Sequence, residues 1–231
     1  MNLSRTMKTV NTPAEALLSR LSKQIEDGKI MFGHQDSFLY GHSWKIASDA
    51  TDFNKTDIED VAGVYPALYG LDLGGIELDS PVNIDKNDFN QMRESVKAHH
   101  ERGGVITFSW HPRNPLTGGD TWDTSSTEAV ASIIPGGSNH EMFMGWLRKA
   151  ADYLESLKTD DGRMIPVIFR PWHEHTKNYF WWGQDWCTTE QYKALWSMTY
   201  NYMAKERGLD HLVWSYSPDS CGSDPLDVEE R

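Results

Sequence analysis

The sequence predicts an α/β fold, a (β/α)8 TIM barrel with about five of its eight β/α units present. Three observations predict it. Short continuous apolar runs alternate with amphipathic helical stretches, the pattern of a parallel sheet covered by helices. No Gly-rich phosphate turn follows the first strand, which disfavours a nucleotide-binding doubly wound sheet. The polar residues His34, Asp72, His111, His173, Glu174 and Ser217 fall after strand C-termini, where barrel enzymes keep their chemistry.

Each element follows from local signals. Thr12-Pro13 caps a helix reaching about Asp27, with Leu17, Leu18, Leu21 and Ile25 at helical spacing, and Gly28 ends it. Ile30 to His34 reads as a short buried strand. Thr56 to Val61 is a short helical piece, and the second strand lies within Val64 to Leu73. Lys86 to Arg102 is the next helix, with Phe89, Met92, Val96 and His99 on one stripe, stopped by Gly103-Gly104.

Val105 to Trp110 is the third strand. The loop His111 to Pro135 is too long for an idle connection and is expected to build a site. Asn139 to Leu157 is a helix facing Phe143, Trp146, Leu147, Ala150 and Leu154 inward. Met164 to Pro171 is the fourth strand. Thr188, with Gln191 three residues on, caps a helix to Arg207 that Gly208 closes. Leu212 to Tyr216 is the fifth strand, and the residues from Asp219 onward read as a loop. The expected organisation is a helical segment at 1–28 and a partial barrel at 29–231.

Composition narrows the partners. Of 231 residues, 39% are hydrophobic and 24% charged, which excludes a disordered chain. Thirty-four acids against 22 bases leave a charge of −12, so nucleic acid and anionic membrane surfaces are disfavoured. No apolar run is long enough to span a bilayer. Ten Trp, nine Tyr and eight Phe supply either a Trp-rich core or flat faces of the kind on which sugar rings or cations can lie. Cys187 and Cys221 allow one disulfide at most. Met1 to Ala16 has no apolar core of a signal peptide, so an exported product is expected to draw its leader from elsewhere.

The densest chemistry is Phe169-Arg170-Pro171-Trp172-His173-Glu174-His175, followed by Tyr179-Phe180-Trp181-Trp182-Gly183. A carboxyl at a strand end, walled by aromatic rings, is partly desolvated and suited to donate a proton near neutral pH. That makes Glu174 the candidate acid. Arg170, on the same strand parity, either keeps a neighbouring carboxylate ionised or pairs Glu174 structurally. The spacing His173-x-His175 also admits a metal, with Asp72, His34 and His111 completing the site, although no HExxH is present.

These residues, together with Ser109-Trp110-His111-Pro112, Val213 to Pro218 and Phe32-Gly33-His34-Gln35, resemble the mannanases of glycoside hydrolase family 26. The resemblance runs from about Lys29 to Ser217. It implies a (β/α)8 barrel and retaining hydrolysis of β-1,4-mannosidic bonds in mannan, glucomannan or galactomannan, without metal or cofactor, by a secreted, periplasmic or cell-surface enzyme. It implies Glu174 as general acid/base and His111, Trp122, His173, Tyr179 and Trp182 as sugar-binding residues. Tyr179 stands where a Trp is common.

The resemblance also exposes a departure. The family's nucleophile is a Glu on the seventh strand, and five strands are legible here. Asp219, Asp224, Asp227, Glu229 and Glu230 lie in a polar stretch without strand pattern, so none is assigned, and this polypeptide alone is expected to lack normal turnover. Three readings remain: a mannan hydrolase or a glycosidase of another β-glycan, a non-catalytic carbohydrate-binding fragment, and a metal-dependent hydrolase. Elsewhere, His99-His100 reads as a complement to a helix dipole and Met142 and Met144 as core filling. Trp44 reads as a platform or lid, and Asp72 as a ligand for a sugar hydroxyl or a tie on the loop Gly74-Gly75.

Overall fold

A computed structural model describes residues 12–219 of the chain. Its elements, in order, are α1 (Pro13–Glu26), β1 (Gly33–Gln35), α2 (Asp57–Ala62), β2 (Leu68–Asp72), a 3-10 turn (Ile76–Leu78), α3 (Phe89–Glu101), β3 (Val105–Ser109), α4 (Ala129–Ile133), α5 (His140–Glu155), β4 (Val167–Arg170), α6 (Thr189–Tyr200), a π-helical turn (Asn201–Glu206) and β5 (Leu212–Trp214). The five strands form one sheet, all parallel, in the order β1-β2-β3-β4-β5. A doubly wound sheet reverses its strand order at a switch point. Here each strand lies beside its predecessor without reversal, the winding of a barrel wall.

Caps explain the helix starts. Thr12 and Glu15 form a reciprocal capping box on α1, and Thr188 and Gln191 form another on α6. Thr56 caps α2, and Gly63 closes it in the left-handed conformation. The start expected at Lys86 falls later. Lys86 itself is left-handed, with φ 63°, and Asp88 caps the Asn90 and Gln91 amides, so α3 opens at Phe89.

Strands β2 and β3 are buried almost throughout, and their large side chains join a core of Phe108, Trp110, Phe143, Phe169, Trp172 and Trp181. Position in the sheet accounts for one correction. The segment from Ile30, expected to be buried, leaves Ile30 97% and Phe32 59% exposed, because β1 is an edge strand paired only with β2. On α1, Leu17 is buried while Leu18 and Ile25 are exposed, since the helix touches the barrel along one narrow line.

The long loop after β3 is not wholly irregular, because it contains the buried helix α4. His99 does not act as a charge on the α3 dipole. It is buried beside Phe38 and Tyr69, and burial, with Arg102 adding repulsion, lowers its pKa to about 4, so it is a neutral core group. Trp44 donates to the Asp57 carboxylate at 2.7 Å, which pins it to α2 beneath the Lys55 ammonium. Residues 1–11 and 220–231, with Cys221, Asp224, Asp227, Glu229 and Glu230, lie outside the described residues. Among the described residues no helix is long and apolar enough to cross a membrane.

Candidate active site

Sheet register builds the site. Asp72, the last residue of β2, stands opposite Ser109 at the end of β3, and Ser109 stands opposite Arg170 at the end of β4. Three strand ends therefore deliver an acid, a hydroxyl and a base to one level of the barrel mouth.

Asp72 is buried, and its carboxylate accepts from four groups, among them the His111 backbone amide at 3.3 Å from Oδ1. The Ser109 hydroxyl and the His111 Nδ1 each lie 2.6 Å from Oδ2, and the Gly74 amide lies 2.6 Å from Oδ1. Burial alone would raise its pKa, but these hydrogen bonds and the charge of His111 lower it on balance. The expected tie on the Gly74 loop is present, and the same carboxylate also orients His111. His111 meets His173 edge-on, with Nε2 atoms 3.0 Å apart. Burial, with repulsion from His111 and Arg170, drives the His173 pKa down to about 3, so His173 is neutral.

Glu174 follows His173 in a strained backbone. Trp172 and Glu174 both have left-handed φ, 52° and 56°. Such residues persist where surroundings over-determine them. Here the Trp172 indole donates to Thr199, the Trp172 carbonyl accepts from Tyr192, and the Glu174 amide donates to the Ser217 carbonyl at 2.8 Å. The strand parity assumed between Arg170 and Glu174 is therefore wrong, because β4 ends at Arg170 and the chain then turns. Glu174 is half-buried, and among the described residues its carboxylate makes no hydrogen bond or ion pair. Arg170 makes no direct hydrogen bond to Glu174, although the Glu174 charge favours its guanidinium, and it donates instead to the Ser217 hydroxyl at 3.3 Å.

The aromatic residues divide by exposure. Trp122 is 53% exposed and stacks over His111 at 6.1 Å, and Tyr179 is 50% exposed beside Phe180. A cleft of about 260 Å³, lined in part by His111, Arg113, Asp120 and Trp122, opens next to the Trp122 ring. Trp182 is corrected. It is fully buried, offers no face to a sugar, and donates to the His173 carbonyl at 2.8 Å. Phe180, which sequence reasoning did not single out, packs between Trp182 and His111 with centroids 4.6 and 5.0 Å away.

His175 turns away from this group. It bonds the Tyr216 hydroxyl at 2.8 Å and stacks on Tyr192, so His173 and His175 do not face one point. Among the described residues no cluster of three or more His, Cys, Asp or Glu side chains is placed to hold a metal ion.

Known proteins resemble the chain in sequence and fold. The model of glycosyl hydrolase family 26 matches residues 9–228. A mannan endo-1,4-beta-mannosidase of Bifidobacterium adolescentis is 32% identical over 216 residues, covering 90% of this chain and 20% of that protein. Another, of Bacillus subtilis, is 30% identical over 227 residues, covering 95% of this chain and 58% of that protein. The solved structure of a GH26 β-mannanase from Bacteroides ovatus superposes with a TM-score of 0.83 at 45% identity, covering 90% of this chain and 59% of that one. The chain thus spans a fifth to three fifths of the length of these relatives, and its fold is part of a (β/α)8 barrel.

Proposed function

The chain belongs to glycosyl hydrolase family 26, and from that premise we infer that it carries the acid/base half of a retaining β-1,4-mannan hydrolase. The observation that supports this most directly is the Glu174 carboxylate. It is half-buried at the barrel mouth, bound to no other side chain among the described residues, and next in sequence to the histidine pair.

In this reading Glu174 protonates the departing glycosidic oxygen and then deprotonates the water that releases the sugar. A retaining enzyme holds a second carboxylate about 5–5.5 Å from the first as nucleophile. That group is assigned to no described residue and is expected from chain outside them. His111 and His173 contact hydroxyls of the sugar at the cleavage point, and Trp122 and Tyr179 are platforms for neighbouring rings. Trp182 supports His173 from below rather than touching substrate. The substrate is a neutral β-mannan, which suits an acidic protein rich in aromatic residues, and family membership favours a secreted, periplasmic or cell-surface enzyme.

The test is Glu174→Gln in the mannan-hydrolysing protein, assayed on mannan and on an aryl mannobioside with a good leaving group. Mannan hydrolysis should fall by about 10²–10⁴-fold. First release of the aryl group should persist, because a good leaving group needs no proton. Equal loss on both substrates, or none on mannan, removes Glu174 from this role.

A further inference from the structure

The regular ladder of β4 ends at Arg170, so the turn that follows has to satisfy its buried backbone groups in other ways. Side chains of α6 take over part of that task. The carbonyl of Trp172, a fully buried residue, accepts from the Tyr192 hydroxyl at 2.7 Å. The same hydroxyl lies 2.8 Å from the Trp196 indole nitrogen. An indole N–H can only donate and a carbonyl can only accept. The Tyr192 hydrogen therefore goes to Trp172, and the Tyr192 oxygen takes the hydrogen of Trp196. The bonds run one way, from Trp196 through Tyr192 to the peptide that joins Trp172 to His173.

A second bond leaves the same face of the helix. Thr199, two turns along α6 from Tyr192, accepts from the Trp172 indole at 3.1 Å and donates to the Leu195 carbonyl at 2.8 Å. Trp172 is thus held by its carbonyl and by its ring. Glu174 follows as the other left-handed residue of the turn, at φ 56° after 52° at Trp172. Its carboxylate makes no hydrogen bond among the described residues, so the backbone of the turn sets its place.

We propose that Tyr192 is a positioning residue for the acid: its hydroxyl, fixed by Trp196, holds the Trp172 carbonyl and so keeps the left-handed turn that presents Glu174 at the barrel mouth. The assignment rests on the reading of Glu174 as acid/base given above. Tyr192 acts through the backbone and not on the sugar. Its ring stacks on His175 at 4.3 Å, a contact that survives loss of the hydroxyl alone. That loss would leave the Trp172 carbonyl without its donor and the Trp196 indole without its acceptor.

Tyr192→Phe makes this change. Amide hydrogen exchange on this chain needs no sugar. The Glu174 amide should exchange about tenfold faster than in wild type, while the amides of β3 keep their rates. In the mannan-hydrolysing protein, kcat on mannan should fall about tenfold with KM within about twofold. First release from the aryl mannobioside should be unchanged, because that step needs no proton. A defect of folding alone would lower both substrates alike. If Tyr192→Phe does not fold, Thr199→Val, which frees the Trp172 indole instead, should give the same split. An unchanged Glu174 exchange rate, undiminished turnover of mannan, or equal losses on both substrates overturns the assignment. Should Glu174→Gln leave mannan hydrolysis intact, the acid reading falls, whereas the exchange rate still decides whether Tyr192 holds the turn.

Discussion

The backbone amide of Glu174 donates to the carbonyl of Ser217 at 2.8 Å, tying the turn after β4 to the chain leaving β5. That bond holds a glutamate at φ 56°, where a residue with a Cβ is strained. Its side chain makes no compensating hydrogen bond among the described residues, so the strain is not offset by the side chain.

The first prediction concerns that strain. Glu174→Gly relieves it and should raise the unfolding free energy by about 1 kcal/mol. Denaturant melts of the two proteins measure it. A variant less stable than wild type would show that the carboxylate is structurally engaged after all.

Trp122 and Trp182 should separate binding from stability. Trp122→Ala removes an exposed ring and should weaken mannooligosaccharide binding while the melting temperature stays nearly constant. Trp182→Ala empties a fully buried site and should cost about 3–5 kcal/mol of stability. Calorimetric binding and thermal melts on both variants check the pair. The reverse pattern would restore Trp182 as a platform.

Asp36 should make the fold sensitive to rising pH. Burial first, then the charge of Asp85, raises its pKa from 3.8 to about 7, with Asp72 adding to the rise and the Tyr40 hydroxyl and Asn87 opposing it. A carboxyl with a raised folded pKa contributes fully below the unfolded value and loses that contribution as pH rises to the folded one. Wild-type stability should therefore fall between about pH 4 and 7, by no more than about 4 kcal/mol, relative to Asp36→Asn. Parallel pH dependences in the two proteins would exclude the effect.

His99 has the opposite sign. Its pKa drops from 6.5 to about 4, so the unfolded chain takes up its proton first and stability falls as pH falls through that window. His99→Phe should melt with less acid sensitivity between pH 6.5 and 4, by about 3 kcal/mol at most. Gly104→Ala should fail differently, at every pH, because a Cβ there overlaps the His99 ring.

Much of the site was legible in the sequence and some of it could not be. His111 and His173 could be expected near one another because residues after strand C-termini in a parallel α/β pattern face one end of the sheet, and the structure brings their Nε2 atoms to 3.0 Å. Only the family resemblance points to Trp122. Phe180 carried no signal that set it apart from its aromatic neighbours, although it packs against both His111 and His173. Trp182 was misread for the same reason. Trp122 and Trp182 look alike in a string, and only packing buries one and leaves the other exposed.

By itself, then, the sequence determined the alternation of helix and strand, the capped helix starts at Thr12 and Thr188, and the segment bearing Glu174. Those features are local, set by periodicity and by side chains that reach a few residues along the chain. Tertiary structure decided which strand was an edge, how far β4 ran before Trp172 and Glu174 turned it, and that Asp72 would meet Ser109 and His111. The pairing of Asp72 with His111 joins residues 39 positions apart through sheet register, and register depends on how whole elements pack rather than on any short stretch of residues.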